Sequence, residues 1–324
     1  MSALPGHPDA RDQADGGDPL ESLGTIAYNS GHMTIDIWML LGISALGLMA
    51  GLVGALLGLG GGILLVPVLT LVFNLPFQVA AGTSLVAVAA TSAAGSSTYV
   101  RTRLTNIRLA VLLGTATVAA AIGASLVAQA IDGRILRGLF SFLLLYTALT
   151  MIRGARPGAR AAAQPAAAPA APAPDGWNLG GSYQDARLGR VAYQATHVPL
   201  GMGASLLGGT ISGLLGVGGG IVQVPVMHLL MGIPLKVATG TSSFLIGITA
   251  AASALIYYAS GRIDPVLAAP AALAVFVGAR LGAYLVQRLQ SATLKRIFGV
   301  VALLVAVQMI LQAVDACPWC PPGR

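Results

Sequence analysis

Two short hydroxyl strings, Thr83-Ser84 and Thr241-Ser242-Ser243, and two glycine strings, Gly58-Leu59-Gly60-Gly61-Gly62 and Gly216-Val217-Gly218-Gly219-Gly220, are the groups best suited to hold a ligand. Their chemistry is that of neutral dipoles. Hydroxyls donate hydrogen bonds without the desolvation cost of a buried charge. Glycine lets a solute approach the backbone, and a helix N-terminus presents about half a positive charge and about four free N–H groups. Together they select an anion. Each string also has a structural alternative. Small residues let membrane helices pack closely, and Ser or Thr hydroxyls bond the i−4 carbonyl of their own helix.

Four further side chains add to this set. Arg280, within Gly278-Ala279-Arg280-Leu281-Gly282-Ala283, is the one basic residue well inside an apolar segment. Intramembrane charges are functional candidates by default, with snorkelling to the surface as the alternative. Gln223 and His228 follow the second glycine string and are placed to line a pathway, with packing or capping as the alternative for at least one of them; Lys236 sits just past a turn at Gly232-Ile233-Pro234, where a lysine attracts anions or simply snorkels. Cys317-Pro318-Trp319-Cys320 has the spacing of a redox dithiol but lacks the alternating strands and helices of such domains, so a terminal disulfide is the expectation. No paired carboxylates, metal-ligand cluster or nucleotide loop is present, so neither an enzyme, a metal nor a cofactor is expected.

The elements that must position these groups are membrane helices. The chain is 56% hydrophobic and 9% charged, with a mean hydropathy of +0.80; soluble domains carry roughly 25% charged residues. Apolar runs recur at the length of about 20 residues that crosses about 30 Å of hydrocarbon. The net charge of +7 is spread over short loops, which argues for a topological use and against nucleic acid.

The expected organisation is a polar tail (1–36), a first transmembrane repeat (37–152), an Ala/Pro-rich linker and cytoplasmic connection (153–196), a second repeat (197–314) and a terminal tail (315–324). The repeats share an offset of 158 residues: Gly58 pairs with Gly216, Pro67 with Pro225, Pro76 with Pro234 and Gly82-Thr83-Ser84 with Gly240-Thr241-Ser242. The glycine strings split their apolar runs into a full helix and a half-length second piece beginning near Ile63 and Ile221. If each broken region enters and returns, the halves are inverted, and twelve basic residues fall inside against five outside. The parallel arrangement gives eleven against six and strands Arg288, Lys295 and Arg296 outside together. The positive-inside rule favours inversion, with both termini outside. The fold class expected is therefore an all-α, polytopic transmembrane bundle of two homologous, inverted halves with broken helices.

At the duplicated glycine strings with their prolines, at Ala81-Gly82-Thr83-Ser84 and Thr239-Gly240-Thr241-Ser242, and at the stretch around Arg280, the sequence resembles the sulfite exporter (TauE/SafE-like) family. The resemblance covers roughly 37–152 and 197–314. It implies about eight spanning helices and the export of sulfite or small organosulfonates. The reading that results is an inner-membrane, multi-pass secondary carrier with the lipid bilayer and a small anion as partners, and with homo-oligomerisation left open. The substrate would be held by Gly60, Gly61, Gly62, Thr83, Ser84, Gly218, Gly219, Gly220, Gln223, Thr241, Ser242 and Arg280, and moved outward as one half rocks against the other. The alternatives are a carrier for sulfate, thiosulfate or an organic acid, and a redox or scaffold protein that uses Cys317 and Cys320.

Overall fold

The computed structural model describes residues 25–26, 35–57, 60–101, 104–154, 179–185, 189–285 and 291–313. Gly58, the polar tail ahead of Thr25, the Ala/Pro stretch 155–178 and the Cys317–Cys320 pair lie outside these ranges. The chain divides into two compact units. The first, Met1–Gly42, holds a short antiparallel ribbon, β1 (Thr25–Ile26) with β2 (Ile35–Asp36), and the start of α1. The second, Ile43–Arg324, holds all that follows.

The helices are α1 (Ile37–Leu57), α2 (Gly62–Leu71), α3 (Phe77–Arg101), α4 (Ile107–Ala130) and α5 (Gly133–Gly154), then α6 (Val198–Leu215), α7 (Gly220–Pro225), α8 (Leu235–Ala259), α9 (Pro265–Leu285) and α10 (Ser291–Ala313). A π-helical turn, Val226–Leu230, continues α7. Among the described residues eight of these helices have 18 residues or more, and six are both long and apolar enough to cross a membrane. The bundle is all-α and polytopic. Short polar signals set the helix ends. The Asn106 side chain caps α4 by accepting from Leu109 N at 3.1 Å. Asp132 and Asp264 hold the first turns of α5 and α9 through Arg134 N at 2.8 Å and Val266 N at 2.9 Å.

The two repeats are inverted, and the contacts of the equivalent helices α3 and α8 establish it. A Cβ on Gly82, near the start of α3, would meet Tyr257 and Ile263 at the far end of α8. One on Gly240, near the start of α8, would meet Tyr99 and Leu104 at the far end of α3. The two helices therefore run antiparallel. The half-length α2 begins level with Ser84, and Leu75 N returns to Leu69 O just ahead of α3, so α2 runs back against α3. At 1.5 Å per residue its 10 residues span about half the hydrocarbon.

The halves are also interlocked. Gly209 and Gly213 of α6 lie against the backbone carbonyls of Thr117 and Ala121 of α4, and Gly51 and Gly278 join α1 to α9 in the same way through Val275 and Leu48. Each of these pairs takes one helix from each half. Glycine is what allows backbones to approach so closely without hydrocarbon between them.

The connection expected over 153–196 contains structure that composition did not suggest. Helix α5 continues to Gly154, and β3 (Gly181–Asp185) pairs antiparallel with β4 (Gly189–Tyr193). Tyr183, Val191 and Tyr193 are buried in one apolar cluster with Leu109, Val198, Met227, Met231, Ile233 and Val237. The ribbon thus covers the end of the bundle where α4 and α8 begin and the α7 segment finishes.

Candidate functional site

Both glycine strings are breaks, and backbone geometry explains why glycine is needed. Gly60 and Gly61 have φ of 78° and 74°; Gly216, Gly218 and Gly219 have 74°, 84° and 73°. A side chain in this left-handed region costs about 1–2 kcal/mol. Gly61 and Gly219 stand at the N-cap positions of α2 and α7. The first helical bonds are Leu64 N and Leu65 N to Gly61 O, and Val222 N and Gln223 N to Gly219 O. The second pieces therefore start at Gly62 and Gly220, one residue ahead of the sequence expectation.

The two breaks meet around a symmetric apolar pair. Val88 and Ile246 are 158 residues apart and so occupy equivalent positions on α3 and α8. A Cβ placed at Gly60 would stand 3.7 Å from Val88 Cγ1 and from Ile246 Cγ2; one placed at Gly218 would stand 2.7 Å from the same two atoms. At Gly62 it would meet Val88 Cγ2 at 2.6 Å, Ser84 Oγ at 2.9 Å and Gly216 O at 3.0 Å, and at Gly220 Ile246 Cδ1 at 2.5 Å. The strings, Val88 and Ile246 thus close on one another at the pseudo-twofold axis.

The hydroxyls at this centre are not used alike. Ser84 Oγ donates to Gly216 O of the opposite break at 2.9 Å, with Gly62 O as a longer second acceptor at 3.4 Å. Its equivalent, Ser242, is 1% exposed, and its Oγ has no partner. Ser242 Oγ would lie 3.7 Å from a Cβ on Gly220, so an unused donor faces the second break. Thr83 Oγ1 is likewise buried without a partner, whereas Thr241 Oγ1 accepts from Asn106 N at 3.0 Å and ties α8 to the head of α4. Gln223 is buried between α7 and α4, its amide Nε2 donating to Thr117 Oγ1 at 3.2 Å.

Arg280 is not brought to this centre. It is exposed on α9, on the side that also exposes Leu273, Val277 and Leu281, while Gly278 and Gly282 turn towards α1. His228 is half-buried with Nδ1 at 2.9 Å from Ile233 O, and Lys236 is exposed at the start of α8. Sequence reasoning missed Val88 and Ile246, which look like ordinary helix residues until the breaks converge on them. It also missed Tyr257, whose hydroxyl donates to Gly213 O at 3.0 Å and steadies the last turn of α6 before the second break. The arrangement offers neutral donors and main-chain dipoles and, among the described residues, no fixed charge at the meeting point of the two halves.

Comparison with known proteins agrees with this architecture. The chain is 27% identical over 278 residues to the probable membrane transporter protein YunE of Bacillus subtilis (strain 168), covering 83% of this chain and 96% of that protein. It is 29% identical over 270 residues to a probable membrane transporter protein of Xylella fastidiosa (strain 9a5c), covering 81% and 93% respectively. A counterpart in strain Temecula1 / ATCC 700964 is also 29% identical, over 273 residues. No solved structure matches at a comparable level. Residues 43–309 match the family described as Sulfite exporter TauE/SafE, a span that takes in both breaks and all of the inverted pairs, and the chain belongs to that family.

Proposed function

We propose that this multi-pass membrane transporter is a secondary carrier of the inner membrane that exports a small sulfur oxyanion, sulfite or an organosulfonate. The anion is held where the two glycine breaks meet. Main-chain dipoles at Gly60 to Gly62 and Gly218 to Gly220 supply the positive potential, and Ser242 beside Gly220 supplies the free hydroxyl. Ser84 and Thr241 are engaged by Gly216 O and Asn106 N, and Thr83 lies towards the opposite end of the α3–α8 pair from Thr241. A site of neutral dipoles holds an anion firmly enough to select it and releases it without breaking a buried ion pair. Arg280 takes no part in this reading, because its exposed face of α9 is turned away from the breaks.

The observation that carries the proposal is the unpartnered, buried hydroxyl of Ser242 facing Gly220. A buried polar group without a partner costs about 1–3 kcal/mol, so an occupant that accepts its proton recovers that free energy. Alternating access follows the interlocked pairs: α1 with α9 and α4 with α6 each move as a mixed body, and the sliding surface is the antiparallel α3–α8 contact. This replaces the simpler expectation of one sequence half rocking against the other.

The test is counterflow of radiolabelled sulfite in proteoliposomes, with isethionate, thiosulfate, sulfate and acetate as competitors. Wild-type protein is expected to exchange sulfite and to be inhibited best by sulfonates. Ser242→Ala removes an unpaired buried hydroxyl, so without ligand it is expected to match or exceed the thermal stability of the wild type, and to lose roughly tenfold or more in sulfite affinity, the factor a charge-assisted hydrogen bond commands. Unchanged sulfite affinity in Ser242→Ala would remove the site from the breaks.

A further inference from the structure

Two equivalent serines have different fates. Ser84 on α3 and Ser242 on α8 are 158 residues apart, and they are 0% and 1% exposed. Ser84 Oγ donates to Gly216 O at 2.9 Å, with Gly62 O at 3.4 Å, whereas Ser242 Oγ has no partner. Gly58, the residue equivalent to Gly216, lies outside the described residues. One buried hydroxyl of the pair is therefore engaged by the protein and the other is left for a ligand.

The two acceptors of Ser84 stand on opposite sides of the α3–α8 contact. Gly62 opens α2, which runs back against α3, so a bond to Gly62 O stays on the α3 side. Gly216 ends α6, where its own N–H bonds Ser212 O at 2.9 Å. The last carbonyls of a helix lack partners within it, and those of α6 are met from two directions. Tyr257 of α8 donates to Gly213 O at 3.0 Å, which fastens this turn to the α8 side; Ser84 of α3 donates to Gly216 O across the boundary. A serine hydroxyl has one proton, so it serves one side or the other well, and here the spanning bond is the shorter.

Glycine at two positions makes that bond possible. A Cβ on Gly62 would lie 2.9 Å from Ser84 Oγ and 3.0 Å from Gly216 O, and so would crowd donor and acceptor alike. One on Gly216 would lie 2.7 Å from Ala81 O and 2.8 Å from Ala81 Cα, about one turn ahead of Ser84 on α3. Bare backbone at both breaks brings the hydroxyl of the first repeat within reach of the second break.

We propose that Ser84 is a positioning residue that clamps the α3 side of the molecule to the α6–α8 side. When α3 slides past α8, the hydroxyl exchanges Gly216 O for Gly62 O and travels with its own side, so its proton is never left without an acceptor. The equivalent serines thus divide the work: Ser84 holds the conformation, and Ser242 meets the anion. The clamp rests on the carrier reading for its purpose, but its strength is measurable with no anion present.

The experiment is thiol labelling of the purified full-length protein in detergent, without substrate, in a background with Cys317 and Cys320 replaced by serine. The probe is a methanethiosulfonate carrying a quaternary ammonium. Ser92→Cys reports on the α3–α8 surface, because Ser92 is 4% exposed and faces Gly247. Ser125→Cys reports on the α4–α6 contact, where Ser125 Oγ meets Gly213 O at 3.4 Å. Adding Ser84→Ala is expected to speed the labelling of Ser92→Cys by about twofold to tenfold, the range that one net hydrogen bond commands, and to leave that of Ser125→Cys unchanged. Adding Ser242→Ala is expected to change neither rate, since that hydroxyl holds nothing in the empty protein. In sulfite counterflow the order reverses: Ser84→Ala should keep the half-saturating concentration within about twofold, while Ser242→Ala raises it about tenfold or more. Unchanged labelling of Ser92→Cys with Ser84→Ala would overturn the clamp, and so would equal acceleration at both cysteines, the mark of general loosening. Faster labelling at Ser92→Cys alone, in a protein that exchanges no sulfite, would fail the carrier reading and leave the clamp standing.

Discussion

Gly60 and Gly218 are equivalent glycines with nearly the same φ, 78° and 84°, and the same two neighbours, yet replacement by alanine is expected to affect them very differently. Both variants pay about 1–2 kcal/mol for a left-handed alanine. At Gly60 the new methyl rests 3.7 Å from Val88 Cγ1 and Ile246 Cγ2, an ordinary contact. At Gly218 it stands 2.7 Å from both, roughly 1 Å inside the carbon–carbon optimum of about 3.5–4.0 Å. Overpacking of that kind adds about 1–3 kcal/mol. At about 2 °C per kcal/mol for a chain of this length, Gly60→Ala should lower the melting temperature by about 2–4 °C and Gly218→Ala by about 4–10 °C. Thermal unfolding followed by circular dichroism in detergent provides the ranking. A double-mutant cycle with Ile246→Ala then isolates the clash, because trimming Ile246 removes one of the two offending methyls. Coupling of about 1–3 kcal/mol is expected with Gly218→Ala and almost none with Gly60→Ala. Equal destabilisation by the two alanines, or the same coupling in both cycles, would refute the picture of two breaks closing unequally on one apolar pair.

Two further outcomes separate the parts of the molecule. Arg280→Gln should leave sulfite counterflow within about twofold of wild type, since the exposed guanidinium does not face the breaks. A larger loss in that assay would return Arg280 to the pathway. At the β3–β4 ribbon, burial raises the pKa of Tyr193, the Asn106 hydrogen bond lowers it, and Tyr183 raises it further, with a net shift upward. A folded-state pKa above the unfolded one means that this contribution is complete below about pH 10 and fades as the pH climbs through the folded value. Alkaline melting curves should therefore fall less steeply for Tyr193→Phe than for wild type, and parallel curves would show that the phenol contributes nothing there.

The breaks and the repeat were legible because glycine rows are costly inside a membrane helix and because Pro67, Pro76 and the Gly-Thr-Ser strings recur at one offset. Inversion was legible through the scatter of arginines. What packs against what was not. A repeat says which positions correspond and is silent on whether α4 adjoins its own half or α6, a matter settled by the Gly209 and Gly213 contacts with Thr117 and Ala121. The role of Arg280 turned on helical phase: its neighbours Leu273, Val277 and Leu281 form a bulky apolar face, while Gly278 and Gly282 mark the packed one. That signal was present in the spacing. The ribbon at 181–193 was masked by the Ala/Pro run before it, although Tyr183, Val191 and Tyr193 show the alternation of a half-buried strand.

The interlocking of the halves makes a demand on the transport cycle that cross-linking can meet or deny. Helices α1 and α9 are joined by helix-to-helix backbone contacts through Gly51 and Gly278, so relative motion there would tear a packed surface; at the middle of the α3–α8 pair Gly247 meets only the Ser92 side chain, and the proposed sliding runs there. Two cysteine pairs probe the two cases with similar geometry. Gly47 and Ala274 would bring α1 and α9 to a Cβ separation of 3.4 Å, and Ser92 and Gly247 would bring α3 and α8 to 3.0 Å, both within a few tenths of an ångström of the disulfide range of about 3.5–4.5 Å. With Cys317 and Cys320 replaced by serine, oxidised Gly47→Cys/Ala274→Cys should retain sulfite exchange. Oxidised Ser92→Cys/Gly247→Cys should lose it and recover on reduction. The reverse pattern would mean that the sequence halves move as units after all, and that the swapped pairs are the hinge rather than the rigid bodies.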